Sequence, residues 1–349
     1  MKRIISLVLA LFLLVNLTVV NVLAASPSAS QLHPEGQKSY EIIVKAVQQH
    51  KDTVEIPNID LKERNRLNEE RNRLNAILRY EHPEFFYLKK IRPGMLNSYP
   101  DGTQYEKIQL EYDSTAQKAF QDLLAKVPKN LSDYDKELTV HDLLVNQTEH
   151  RDQDYDYDNC QAVYNCLVNH TSDHAGYAYL MKLLLNNLDV PCEVIQGKGP
   201  DGQILLWNRV TLNGKDYLTD VSLDDTIDIS GDQPFIYYQY FNRSKAEMDR
   251  DHTPDHPSEE KSCIYTDQGY YKKNGLYFTS VDSAEDFMRE ALKKQSAVAV
   301  ELATTPMALQ VRKDFFDGKI TDRTRGMAAS QYQDGLANNV LIVRVGTFR

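Results

Sequence analysis

The residues with chemical potential in this 349-residue chain gather between positions 174 and 225. His174 precedes Ala175-Gly176-Tyr177-Ala178, Trp207-Asn208 lies further on, and Asp220-Val221-Ser222-Leu223-Asp224-Asp225 closes the stretch. An imidazole can move a proton, and a carboxylate can fix its tautomer. What the set lacks is a nucleophile beside a base. One arrangement exchanges the usual parts, with His174 as base and Cys192 as thiol. Cys192 follows Pro191 at the start of a strand, however, where a free thiol packs as a small hydrophobe. Packing is the preferred reading.

Other candidates are weaker. His141 falls on the apolar face of a predicted helix, the usual place of a satisfied core histidine. His252 and His256 are four apart, but Pro254 and Pro257 make that segment a loop, so the pair carries no metal site. Asp152 to Asp158 is acidic and tyrosine-rich, but it lacks the glycine and terminal glutamate of a calcium loop and reads as solvated. Cys160, Cys166, Cys192 and Cys263 show no CxxC spacing for zinc. Four cysteines allow three disulfide pairings, and buried free thiols are the alternative.

Nameable elements must hold these residues. Ser172 or Asp173 can cap a helix whose Ala178, Met181, Leu185 and Leu188 share one face. Strands are predicted over 192–196, 204–212 and 215–220, the last two joined by the hairpin dipeptide Asn213-Gly214. Alternation puts Leu206, Asn208, Val210 and Leu212 on one face of the middle strand, and Leu205, Trp207 and Arg209 on the other.

The order Lys2-Arg3, an apolar run from Ile4 to Val15, then Val22-Leu23-Ala24 reads as a signal peptide over 1–24, bacterial in style. Removing it moves the net charge from −10 to −12, which disfavours nucleic acid and anionic membranes. No later apolar run is long enough to span a bilayer. Residues 25–36 read as a flexible spacer and 37–130 as a helical and stranded N-terminal region. A seven-residue duplication, Glu63-Arg-Asn-Arg-Leu-Asn-Glu then Glu70-Arg-Asn-Arg-Leu-Asn, lengthens a charged helix and keeps Leu67 and Leu74 on one stripe. Residues 131–245 form the core and 246–349 a small α/β appendage. In that appendage a hairpin is predicted around Lys273-Asn274-Gly275, then a helix capped by Ser283, then strands over 297–302 and 339–345 with a helix between.

The core resembles the transglutaminase-like superfamily, relatives of the papain-like cysteine proteases. The resemblance rests on Ala175-Gly176-Tyr177-Ala178, Pro191-Cys192, Trp207-Asn208, Gly214, Tyr217 and the Asp220-to-Asp225 end. The Pro83-Glu84-Phe85-Phe86-Tyr87 element and the C-terminal tail resemble parts of bacterial secreted members. It implies an α+β fold, a buried helix packed on an antiparallel sheet. The family's triad positions hold His174 for the cysteine, Leu205 for the histidine and the retained Asp220. Removing one member of such a unit costs on the order of 10⁶ in kcat. The expectation is therefore a secreted pseudoenzyme without cofactor or metal. It would bind extracellular peptide, protein or a cell-wall component through the remnant cleft, with Tyr177, Trp207 and Asn208 as binding residues. The alternatives are an active cysteine peptidase or acyl transferase using other residues, and a non-catalytic scaffold.

Overall fold

The computed structural model describes residues 27–57, 61–151, 158–225, 236–321, 332–337 and 339–345. The expected signal peptide and the loop at 152–157 lie outside the described residues. The chain divides into two compact units, Met1–Asp113 with Asp156–Cys160, and Ser114–Tyr155 with Gln161–Arg349.

In the first unit, helix α1 (Pro34–Gln48) is followed by β1 (Thr53–Pro57), α2 (Leu61–Glu81), β2 (Leu88–Arg92), β3 (Leu96–Ser98) and β4 (Gln104–Tyr112). Strand β4 is the centre of an antiparallel sheet and pairs with β1, β2 and β3. Leu32 is buried in the core of this unit, and Pro34 opens α1, where its missing N–H costs nothing. Of the two duplicated leucines, Leu74 packs in that core, while the side chain of Leu67 lies outside the description.

The second unit carries α3 (Ser114–Leu124), α4 (Asp133–Gln147), the two-residue strands β5 (Glu149–His150) and β6 (Thr171–Ser172), and α5 (Asn159–Tyr164), a helix that runs on from the first unit. Helix α6 (His174–Asn187) then packs on β7 (Cys192–Lys198) and β8 (Ile204–Leu212). Next come β9 (Lys215–Thr219), α7 (Val221–Asp225), α8 (Lys245–Met248) and β10 (Thr253–Pro254). The strand order is β10-β7-β8-β9, antiparallel throughout. Asn213 and Gly214 both take positive φ, as the β8–β9 hairpin requires.

The two faces of β8 separate as the alternation demands. Leu206 packs with Ala175 and Ala178 of α6, whereas Leu205 and Trp207 pack with Leu218, Tyr240, Met248 and Cys263.

The C-terminal part contains α9 (Tyr270–Lys273), β11 (Tyr277–Phe278), α10 (Val281–Leu292), β12 (Ala297–Leu302), α11 (Thr305–Phe316), β13 (Tyr332–Ala337) and β14 (Val340–Val345). Two details differ from the sequence reading. Asn274-Gly275 ends a helical turn instead of making a hairpin: Asn274 is the C-cap of α9, and Gly275 follows with φ of 70°. Tyr277–Phe278 then pairs in parallel with β12. Ser280, not Ser283, caps α10, accepting from the Ser283 N–H.

Candidate functional site

The site begins at the N-terminus of α6. Asp173 Oδ1 accepts from the backbone N–H groups of Ala175 at 3.1 Å and Gly176 at 3.3 Å, satisfying two orphan donors of the first turn. Residue 176 must be glycine: a Cβ there would lie 1.9 Å from Ser172 Oγ and 2.6 Å from the Ala162 carbonyl oxygen. This approach sets His174 at the helix start, half-buried, with its ring 4.9 Å from that of His150.

His174 leads into a chain of hydrogen bonds. Its Nδ1 lies 2.5 Å from Ser222 Oγ, and Ser222 Oγ donates to Asp220 Oδ1 at 2.5 Å. Asp220 Oδ1 also accepts from the Leu223 N–H at 3.1 Å. Its other oxygen, Oδ2, lies 3.1 Å from Nε2 of His252, and His252 Nδ1 lies 2.6 Å from Asp251 Oδ1. Since carboxylates only accept, His252 donates from both nitrogens and is an imidazolium. Burial opposes its charge, but the bonds to Asp220 and Asp251 outweigh burial and carry its pKa up to about 9. Burial likewise works against the charge of Asp220, and His252, His174 and Ser222 together hold its carboxyl below the usual range.

These polarities fix the rest. The Ser222 proton goes to Asp220, so its lone pair takes the proton on His174 Nδ1. The other ring nitrogen of His174, Nε2, lies outside this bond. Ser222 itself is wholly buried, so it cannot meet a substrate as a nucleophile.

Asp224 and Asp225 are equally committed. His141 bridges Asp224 Oδ2 and Asp142 Oδ1, both at 3.1 Å, and those bonds overcome burial to raise it to about 9. Tyr177 shares its proton between Asp225 and the Thr148 carbonyl. Burial pushes Asp225 up to about 7 despite that bond. Thus the acidic end of the stretch ties α7 to α4, α6 and the segment before β10.

The sequence-predicted positions fall as follows. His174 and Asp220 are brought together through Ser222. Leu205 is not part of that group; it is buried in the apolar cluster on the face of β8 turned away from α6. Tyr177, Trp207 and Asn208 are at most 1% exposed, so their side chains are packed and a ligand does not reach them. Trp207 Nε1 donates to Glu260 at 2.9 Å, and Asn208 Nδ2 donates to the Ala178 carbonyl at 2.9 Å. Cys192 Sγ lies 3.4 Å from Asn208 Nδ2, while His174 Nδ1 is occupied by Ser222. All four cysteines are free and buried.

The residue beside Asp220 that sequence reasoning did not place there is His252. Its prolines suggested a loop, but Pro254 lies in β10 and Pro257 opens a short helical turn, and this segment delivers His252 to Asp220, with its ring edge-on to Trp207 at 4.9 Å. Gly197 allows the approach: a Cβ there would stand 2.3 Å from the Thr253 carbonyl oxygen and 2.6 Å from the Trp207 ring.

No protein-family model matches the chain, and no curated protein matches it. Solved structures similar to it include a TGase, 13% identical over 47% of this chain and 48% of that one, with a TM-score of 0.25. A cysteine-protease candidate from Cytophaga hutchinsonii is 12% identical over 38% of this chain and 61% of its own, with a TM-score of 0.26. A protease candidate from Parabacteroides distasonis is 14% identical over 38% and 36%, with a TM-score of 0.24. The similar part covers less than two thirds of each of these chains.

Proposed function

We propose that this chain is an exported, catalytically silent transglutaminase-like protein that binds extracellular or cell-wall peptide beside the N-terminus of α6. One observation carries the reading: the retained carboxylate, Asp220, is consumed by Ser222 and the His252 imidazolium, and the position facing it holds His174 instead of a thiol. A charged, doubly bonded imidazolium has no lone pair with which to take a proton, so His252 does not act as a general base. Binding is supported by the same geometry. Ser222 holds His174 through Nδ1 and leaves Nε2 outside that bond, and an imidazole nitrogen at a helix start can exchange a hydrogen bond with a peptide backbone. Tyr177, Trp207 and Asn208 then support the site from below and do not touch the ligand.

The test uses the full exported chain and a labelled pool of short peptides together with digested cell-wall peptide. Saturable binding should weaken about tenfold in His174→Ala, as loss of one hydrogen bond to a ligand predicts. Turnover of amide substrates should stay at background in both proteins. Amidase or crosslinking activity that disappears in His174→Ala would replace this reading with the enzymatic one.

A further inference from the structure

A second candidate site lies away from His174, where the C-terminal sheet faces residues 236–243. Strand β12 alternates strictly. Val298, Val300 and Leu302 pack with α10 and α11, so Ala297, Ala299 and Glu301 point to the opposite face. Glu301 anchors that face through Arg243 at 3.1 Å, and Arg243 Nε donates to the Gln239 carbonyl at 2.6 Å. Next to this anchor, Ala299 has a side chain too short to fill the space left. Beside it lies a cavity of about 330 Å³, lined chiefly by Tyr238, Tyr270, Tyr271, Phe287, Val298 and Ala299, so it reaches both faces of β12 at the Val298–Ala299 end.

Its chemistry is narrow. The lining carries no charged side chain. Tyr238 and Tyr270 stack at 3.6 Å between centroids and 14° between planes, and the Tyr238 hydroxyl is held by Asp142 at 3.0 Å, so this aromatic wall is fixed. Tyr271 is only 1% exposed; its hydroxyl oxygen lies by the Tyr238 backbone N–H, and its proton has no acceptor among the described residues. A buried hydroxyl without an acceptor is costly, and a ligand oxygen would relieve the cost. The size sits at the lower end of small-molecule sites, which are mostly apolar with a few placed polar groups.

We propose that this cavity binds a small, neutral aromatic carbonyl compound, its ring against the tyrosine wall and its oxygen accepting from Tyr271. The probes are acetophenone and its non-accepting analogue ethylbenzene, added to the full chain and followed by saturation-transfer NMR and melting temperature. Acetophenone should bind saturably and more tightly than ethylbenzene. Tyr271→Phe should weaken acetophenone about tenfold and leave ethylbenzene unchanged. Ala299→Leu should abolish both, and a melting temperature at or above the parent's would show that this variant folds with the space filled. Equal affinity for the two probes, or acetophenone binding that survives Ala299→Leu, would overturn the proposal. Absence of saturable binding would mean a cavity that holds water only, and would overturn it too.

Discussion

Asp220 and His252, thirty-two positions apart, are joined by a buried hydrogen bond of 3.1 Å between Oδ2 and Nε2. The pair sets an imidazole beside that carboxylate in a charged and enclosed form. His252 is 2% exposed, bracketed by Asp220 and Asp251, and packed against Trp207 and Tyr240. The relationship is that of a structural ion pair. It ties the segment before β10 to the end of β9.

Removing the imidazole should therefore cost stability. His252→Ala leaves the Asp220 carboxylate buried without its counter-ion, a class of change that costs about 3–5 kcal/mol. Urea denaturation should show a lower midpoint with an unchanged slope. Asp220→Asn combined with His252→Ala should cost less than the sum of the single changes, because each removes the other's stranded partner. A loss under about 1 kcal/mol for His252→Ala would remove the ion pair from the account of stability.

The pH dependence follows with its sign. His141 and His252 sit at about 9 in the folded chain, above the ordinary histidine value of 6.5. A group raised on folding contributes stability that is complete below its unfolded pKa and is lost as pH rises through its folded value. Stability should thus decline between about pH 6.5 and 9, by up to roughly 3 kcal/mol for each imidazole. Burial also raises Glu137 and Asp225, both to about 7, so those two carboxyls have finished most of their titration by pH 8. NMR of the imidazole carbons should place both histidine midpoints near 9, and Asp251→Asn should lower that of His252 alone. Midpoints near 6.5 would contradict the bracketed imidazoliums.

Much of this architecture is legible in local sequence. Asp173 caps α6, Asn213-Gly214 turns the hairpin, and alternation along β8 assigns its faces, because each depends on residues a few positions apart. His252 was not legible. Its partner is set by a tertiary crossing that no period or turn signal encodes. Asn274-Gly275 misled for a related reason: the dipeptide fits a type I′ turn and a helix end equally well, and the preceding Tyr270–Lys273 turn decided it. The burial of Tyr177 and Asn208 was also hidden, since aromatic and amide side chains serve cores and clefts alike.

The thiols should be silent. Burial raises Cys166 and Cys263 to about 12 and pushes Cys160 and Cys192 up as well, so little thiolate exists at neutral pH. Iodoacetamide should label none of the four appreciably in the native chain and all four in denaturant. One native cysteine reacting faster than a free thiol would revive the nucleophile that the His174 position lacks.

On the proposed reading, placing a cysteine at 174 and a histidine at 205 should fail to make a reactive pair, for a specific reason. His174→Cys places a thiol at the start of a fourteen-residue helix, where the dipole favours thiolate, so labelling should rise modestly. Leu205→His should add nothing to it. Position 205 lies in the apolar cluster with Trp207, Leu218 and Met248, and both oxygens of Asp220 are already taken by Ser222 and His252. The new ring would be buried without a partner, at a cost of about 1–3 kcal/mol. The two changes should be additive in labelling rate, with no coupling. Adding His252→Ala should change that. It empties the place beside Asp220 Oδ2 and next to Trp207, on the face of β8 that carries residue 205. An imidazole at 205 then has an acceptor to orient it, and coupling between 174 and 205 should appear only in this background. If His174→Cys and Leu205→His already cooperate while His252 is present, Asp220 is available after all, and the proposed silence of the site would not hold.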